Sequence, residues 1–453
     1  MTKAITSLRL PDLIKWIAPA LVFVAILGVL ALLNRSSAPD PATNADGGAS
    51  DLARQPASLD TQGQIEQLQV AVRSDPEDAQ TYALLGDAYY QRARETGDPG
   101  YYSRADGSFA AAIDRDPSNV TAVTGQATLA LARHDFHAGR RLAERARALA
   151  PDLASPYAPL ADAQIELGRY GAAAQTLNRL ARVKPNLTAY ARISYFRELH
   201  GDLRGALQAM RLAVSAGAGG PEGEAYVQSL LGKLQADQGR YGAAEHAYRL
   251  ALAIDPGYPA AAAGLAGVEA GRGDFDTAIE RYGQVVQRLP LPEYAIALGE
   301  TEEAAGKASA AEREYRLARA EIGHQKAKGE NTDVELALFE SNHGSPARAV
   351  TLGRRGWRAA PSVRSADAYS WALYRAGRIG PASRLSGEAM RLGSRDPAFL
   401  YHAGMIARRD GRERPARKFL KRLIDQSPRF NPLYAPRAER ALRALHSKGR
   451  AGS

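Results

Sequence analysis

A regular spacing of prolines sets the frame of this chain. Pro117, Pro151 and Pro185 stand 34 residues apart, as do Pro256 and Pro290, while Pro361 and Pro428 close later segments of the same kind. Proline lacks the donor that a helix interior needs, so each marks where a helix stops. Ahead of each runs an apolar pattern of helical period. Ahead of that lies a short turn led by glycine: "GRY" at Gly168 and Gly239, "GDL" at Gly201, "GDF" at Gly273 and "GRI" at Gly377. Glycine ends the first helix where a side chain would hinder the reversal. Each repeat is therefore two antiparallel helices. Small residues, Gly86, Gly232, Gly299 and Gly404 in first helices with Ala105, Ala173, Ala244, Ala278, Ala311 and Ala416 in second helices, mark the close approach, and Tyr248, Tyr282 and Tyr315 fill the gaps between units. One hairpin alone would leave an apolar face in water, so the units must stack, each resting on its neighbours.

The pattern resembles the tetratricopeptide repeat (TPR) family, in particular a bacterial membrane-anchored member of it. Tyr82, Leu85, Gly86, Tyr89, Ala105, Phe109, Ala112 and Pro117 fit the first unit, with extra residues around "TGDPGYYSR"; Leu231, Gly232, Ala244, Tyr248, Ala251 and Pro256 fit the fifth; Leu265, Phe275, Ala278, Tyr282 and Pro290 fit the sixth. The second and eighth units depart from the pattern, at Gly139 and Ala143 and at Gly353 and Gly356. The resemblance implies an all-α, right-handed superhelical solenoid. About ten units are expected over 79–430, capped by a helix within 60–78 and by a final helix and basic tail at 431–453. "SAGAGGPEGE" and "GHQKAKGENTD" lengthen two linkers and can bend the array or divide it.

The N-terminus has a different character. Trp16 to Leu33 is uncharged and apolar, enough for a helix of about 27 Å, close to the thickness of a bilayer core. Lys3, Arg9 and Lys15 precede it, so residues 1–15 are expected in the cytoplasm, 16–33 in the membrane, and the repeats outside the cytoplasm beyond a flexible linker at 34–59. A cleaved secretion signal, leaving a secreted soluble protein, is the alternative reading of the same stretch.

Chemistry-bearing constellations are scarce. The chain has no cysteine, which excludes disulfides, cysteine-ligated metals and a cysteine nucleophile. "RHDFHAG" gathers His134, Asp135 and His137, but in a position where other units have a turn, so a solvated turn is expected rather than a metal site. Glu302 and Glu303 read as a solvated helix face, and "GKASAAE" lacks the glycine-rich lead of a phosphate loop. No enzyme activity, cofactor or metal is expected.

Binding remains. First helices line the concave wall of such a solenoid. Family members that grip a C-terminal carboxylate use a Lys and Asn clamp there; Ala83, Asp87, Thr124, Thr128, Ala158 and Asp162 occupy the matching positions and form no clamp. Trp371, Tyr374, Tyr401, Met405 and Arg408 are large residues in the same register, either anchors for a partner or packing between first helices. From Arg408 onward, fourteen Lys and Arg face four Asp and Glu, and Arg417 and Lys421 lie in the densest stretch. This end can attract an acidic protein, an anionic membrane surface or another polyanion; nucleic acid is disfavoured by the expected location. The sequence thus points to a membrane-tethered, non-enzymatic scaffold or adaptor for proteins or peptides, docking at Trp371, Tyr374, Tyr401, Met405, Arg408, Arg417 and Lys421. A secreted binding protein and a regulatory subunit of a membrane enzyme complex are the alternatives.

Overall fold

A computed structural model describes residues 60–217, 220–393 and 395–451 of the chain. A single helix, α1 (Thr61–Ser74), leads into ten antiparallel pairs. The first five are α2 (Ala79–Thr96) with α3 (Gly100–Arg115), α4 (Val120–Ala132) with α5 (Phe136–Leu149), α6 (Tyr157–Glu166) with α7 (Tyr170–Val183), α8 (Leu187–Leu199) with α9 (Leu203–Ser215), and α10 (Pro221–Ala236) with α11 (Tyr241–Ile254). The second five are α12 (Pro259–Arg272) with α13 (Phe275–Arg288), α14 (Pro292–Ala304) with α15 (Ala308–Ala327), α16 (Asp333–His343) with α17 (Pro346–Ala359), α18 (Val363–Arg375) with α19 (Ile379–Ala389), and α20 (Pro397–Arg409) with α21 (Glu413–Gln426). Helix α22 (Tyr434–Ala451) follows.

Local chemistry starts and stops these helices. Asp60, Asn119, Asn186, Asp202 and Asp396 each accept a backbone N–H of the following first turn. Within pairs the close approach is made at glycine. A Cβ on Gly86 would sit 2.5 Å from the Phe109 ring, and one on Gly232 would sit 2.7 Å from the Tyr248 ring. The same rings also press on the next first helix, where a Cβ on Gly125 or Gly264 would come within 2.3 Å. Each ring is thus slotted between two glycines, one on its own unit and one on the next.

Stacking of neighbours is only part of the architecture. The array curls until the turns of early units meet the connections between later ones. Asn331 donates its amide to the carbonyl of Arg133 at 3.0 Å, and His134 Nδ1 donates to the carbonyl of Asn331 at 2.9 Å. His137 Nε2 lies 3.1 Å from the carbonyl of Ala359. Farther along, the Val363 amide donates to the Tyr170 hydroxyl, and Gln426 Nε2 donates to the carbonyl of Asp237 at 2.9 Å. Asn431 Nδ2 reaches Glu300 Oε2 at 2.7 Å. The largest cluster of buried side chains joins residues of α6 to α12 with Val363, Leu392 and Phe399. The solenoid is therefore closed edge to edge along a seam, and its first helices face inward. All ten residues of α6 are buried.

Two expectations are corrected at this level. No helix among the described residues is long and apolar enough to cross a membrane, and the fold described is the helical-pair solenoid without a transmembrane helix. The span expected at Trp16–Leu33, with its flanks at 1–15 and 34–59, lies outside the described residues. The turn at His134 is not simply solvated either. His134 takes the left-handed conformation that glycine holds in other units, with φ 57°, and its ring spans the seam.

Candidate functional site

The positions expected to line the concave wall sit inside this closed form. Ala83, Thr124, Thr128, Ala158 and Asp162 are buried. Charge within the wall is paired. Arg192 donates Nε and Nη2 to the Asp162 carboxylate at 2.9–3.1 Å, with both side chains almost fully buried. Burial raises the Asp162 carboxyl above its ordinary value, and the Arg192 guanidinium, through its charge and its hydrogen bonds, opposes this. Across the seam, Arg364 lies 3.5 Å from Glu166, and on the neighbouring unit it lies 3.8 Å from Glu335. Within the interior, one space beside Tyr195, Glu198 and Lys233 holds only about 10 Å³, and one along the seam beside His134 and Arg364 about 30 Å³. Neither exceeds the room taken by a water molecule or two.

The structure brings Trp371, Tyr374, Tyr401 and Met405 into one cluster. Trp371 is 2% exposed; it stacks on Tyr374 and on His402 with ring centroids 4.8 and 4.1 Å away, and its indole N–H donates to Asn342 Oδ1 at 2.9 Å. Tyr401 is 3% exposed and packs 5.4 Å from the Tyr434 ring of α22. Burial pushes its hydroxyl up to about 12. In the closed structure Trp371 and Tyr401 are packed inside, with Tyr434 of α22 lying against Tyr401. The basic residues lie apart from this cluster. Arg408 is exposed at the end of α20, Arg417 pairs with Glu413 at 3.3 Å, and Lys421 pairs with Asp425 at 2.7 Å.

Lys421 belongs to a second grouping that the sequence did not reveal. Arg204 at the start of α9, Arg240 in the turn before α11, Arg395 before α20, and Lys418, Lys421 and Arg422 on α21 surround one open cleft of about 580 Å³. Asp425 is the only carboxylate in its lining. The run "RPARKFLKR" announces the α21 half. The other half comes from turns far away in sequence that meet α21 only because the seam closes.

No group of three or more His, Asp or Glu side chains among the described residues is placed to hold a metal ion. The buried acids Asp162 and Glu166 serve internal ion pairs in spaces closed to a substrate.

Three solved structures of low sequence identity are similar to the chain. The APC/C hetero-tetramer Cut9–Hcn1 is 14% identical, with a TM-score of 0.39 over 84% of this chain and 81% of that one. The human IFIT1 dimer with PPP-AAAA is 13% identical, with a TM-score of 0.46 over 92% and 99%. TTC0263, a thermophilic TPR protein of Thermus thermophilus, is 21% identical, with a TM-score of 0.35 over 39% and 92%. No curated protein sequence matches the chain. These likenesses assign neither a bacterial origin nor an anchor. Among the described residues no helix is long and apolar enough to cross a membrane, so the structure does not support the membrane as a partner, the single-pass location or the extracytoplasmic placement of the repeats. Residues 235–301, from the end of α10 into α14, are similar to the family described as tetratricopeptide repeat.

Proposed function

We propose that the protein is a non-enzymatic scaffold that binds other proteins through the outer surface and seam edges of a closed TPR-like solenoid. One observation carries this reading: the first helices that would form an open groove are spent on internal packing, so what the fold offers a partner is its broad outer face. The chain carries a formal net charge of +10, and two open clefts of about 560 and 580 Å³ lie among the described residues. The reading needs no membrane anchor. An acidic protein is the partner class that the charge favours.

Crosslinking in cells with an amine-reactive reagent, followed by mass spectrometry, tests the reading. A scaffold yields reproducible crosslinks from exposed lysines, Lys418 and Lys421 among them, to a defined set of proteins. Crosslinks confined to the chain itself would refute it.

A further inference from the structure

We propose that the cleft framed by Arg204, Arg240, Arg395 and α21 is a docking site for an acidic peptide segment of a protein partner, held through clustered Asp or Glu carboxylates. The inference rests on the scaffold reading and adds to it a place and a chemistry.

The cleft lies on the seam, with cations on both lips: Arg204 and Arg240 from the fourth and fifth units, Arg395 from the connection into the tenth, and Lys418, Lys421 and Arg422 from α21. Its floor is tied together by Gln426, whose Nε2 donates to the carbonyl of Asp237 on one side and to that of Arg395, at 2.7 Å, on the other. The site is therefore built by closure and held at a fixed width.

Its charge is not balanced from within. Asp425 is the single acid in the lining and is engaged by Lys421 Nζ at 2.7 and 3.0 Å. The other lining cations have no ion pair among the described residues. Buried or half-buried cations elsewhere, Arg192, Arg364, Lys233 and Arg281, meet carboxylates. Burial, and then the neighbouring Arg422, pull Arg395 below its ordinary value, as expected of like charges gathered without a counter-ion. A bound anion removes that repulsion.

The side chains also narrow the class of anion. Four of the six cations are arginines, whose planar forks suit carboxylates bidentately. No aromatic side chain lines the cleft, so a nucleic-acid base finds nothing to stack on. Leu203 supplies an apolar contact at one side, which suits a peptide more than a free ion. The volume falls within the range of sites that enclose a small ligand or a short segment.

The test uses the full-length chain and a short fluorescein-labelled Asp/Glu peptide, read by anisotropy. Binding is expected, and it should weaken steeply as salt rises from about 50 to about 200 mM. The double variant R395Q/R422Q should weaken it at least ~10-fold, as should K418Q/K421Q, which guards against a folding defect in the first pair. R147Q/R179Q, in the other open cleft, should change it less than ~2-fold. Circular dichroism melting checks that each variant is folded. Equal peptide affinity in wild type and both cleft variants would overturn the proposal. So would a single-stranded oligonucleotide of matched charge that binds tighter through the same residues, or full displacement of the peptide by equimolar inorganic phosphate. If a crosslinked native partner binds R395Q/R422Q as well as wild type, the cleft assignment fails and the scaffold reading survives; if no partner is found, the scaffold reading itself fails.

Discussion

The amide of Val363 donates a hydrogen bond of 3.0 Å to the hydroxyl of Tyr170, which lies 193 residues earlier in the chain. The bond is buried and joins the start of the ninth unit to the third. In a solenoid held only by adjacent units, these two residues would have no reason to meet.

Replacing Tyr170 by phenylalanine keeps the ring and deletes the acceptor, leaving the Val363 N–H buried without a partner. The expected loss is about 1–3 kcal/mol of stability. Urea denaturation measures it, and hydrogen exchange should quicken both around residue 170 and over residues 359–366. Loosening restricted to α7 and its immediate neighbours would mean that the seam does not couple the two regions.

Two glycines separate the cost of backbone conformation from the cost of the seam. Gly168 and Gly306 both lie in turns between paired helices, with φ of +69° and +78°. A Cβ on Gly168 would meet the carbonyl oxygen of Pro361 at 2.5 Å, whereas one on Gly306 would meet nothing within 4 Å. G306A should cost about 1–2 kcal/mol for the left-handed conformation alone. G168A should cost clearly more, by roughly a further 1–3 kcal/mol, because a backbone oxygen must move. Equal shifts in melting midpoint would deny the close approach.

The Asp162–Arg192 pair makes a different forecast. D162N leaves a buried guanidinium with a neutral partner and should cost about 3–5 kcal/mol. The double change D162L/R192M removes both charges together and should cost much less than the two single changes added. Chemical denaturation of the four proteins in a double-mutant cycle gives the coupling. Additive losses would show that the two side chains act independently.

Glu293, in the first turn of α14, bears on pH. Burial is the main cause that pushes its carboxyl up to about 7, and Glu335 and Glu330 add to it, while a bond to its own backbone N–H opposes them. The folded protein therefore holds this proton where the unfolded chain has released it. Ionising Glu293 costs stability, and the cost grows as pH rises from about 4.5 to about 7. E293Q should match wild type near pH 4 and exceed it by roughly 2–3 kcal/mol at about pH 8. A constant difference between the two proteins across that range would contradict the assignment.

How far the sequence reached is visible in particular residues. Gly86, Phe109, Gly232 and Tyr248 announce the hairpins and their packing, because helix period, turn glycines and small-residue contacts are local and repeat. Closure was not legible. His134 in place of a turn glycine is its faintest trace, and only the distant carbonyl of Asn331 explains that choice. For the same reason Trp371 and Tyr401 could be placed in register while their cover, α22 with Tyr434, could not be weighed against an external partner. The α21 half of the basic cleft was plain as charge density. Arg204, Arg240 and Arg395 were not, since a lone arginine in a turn carries no sign of what lies across a seam.

The seam also bears on how such a chain can change in length. In an open array a unit can be duplicated or lost, and the rest slides along to accept it. In this one, Tyr170 must find Val363, and Asp237 must find Gln426, each a set number of hairpins further on. Adding or removing one hairpin between them would rotate every later turn past its counterpart and misalign the whole closure at once. The count of repeats is thus a locked quantity, and the molecule behaves less as a string of interchangeable beads than as a ring of teeth that mesh at one number only.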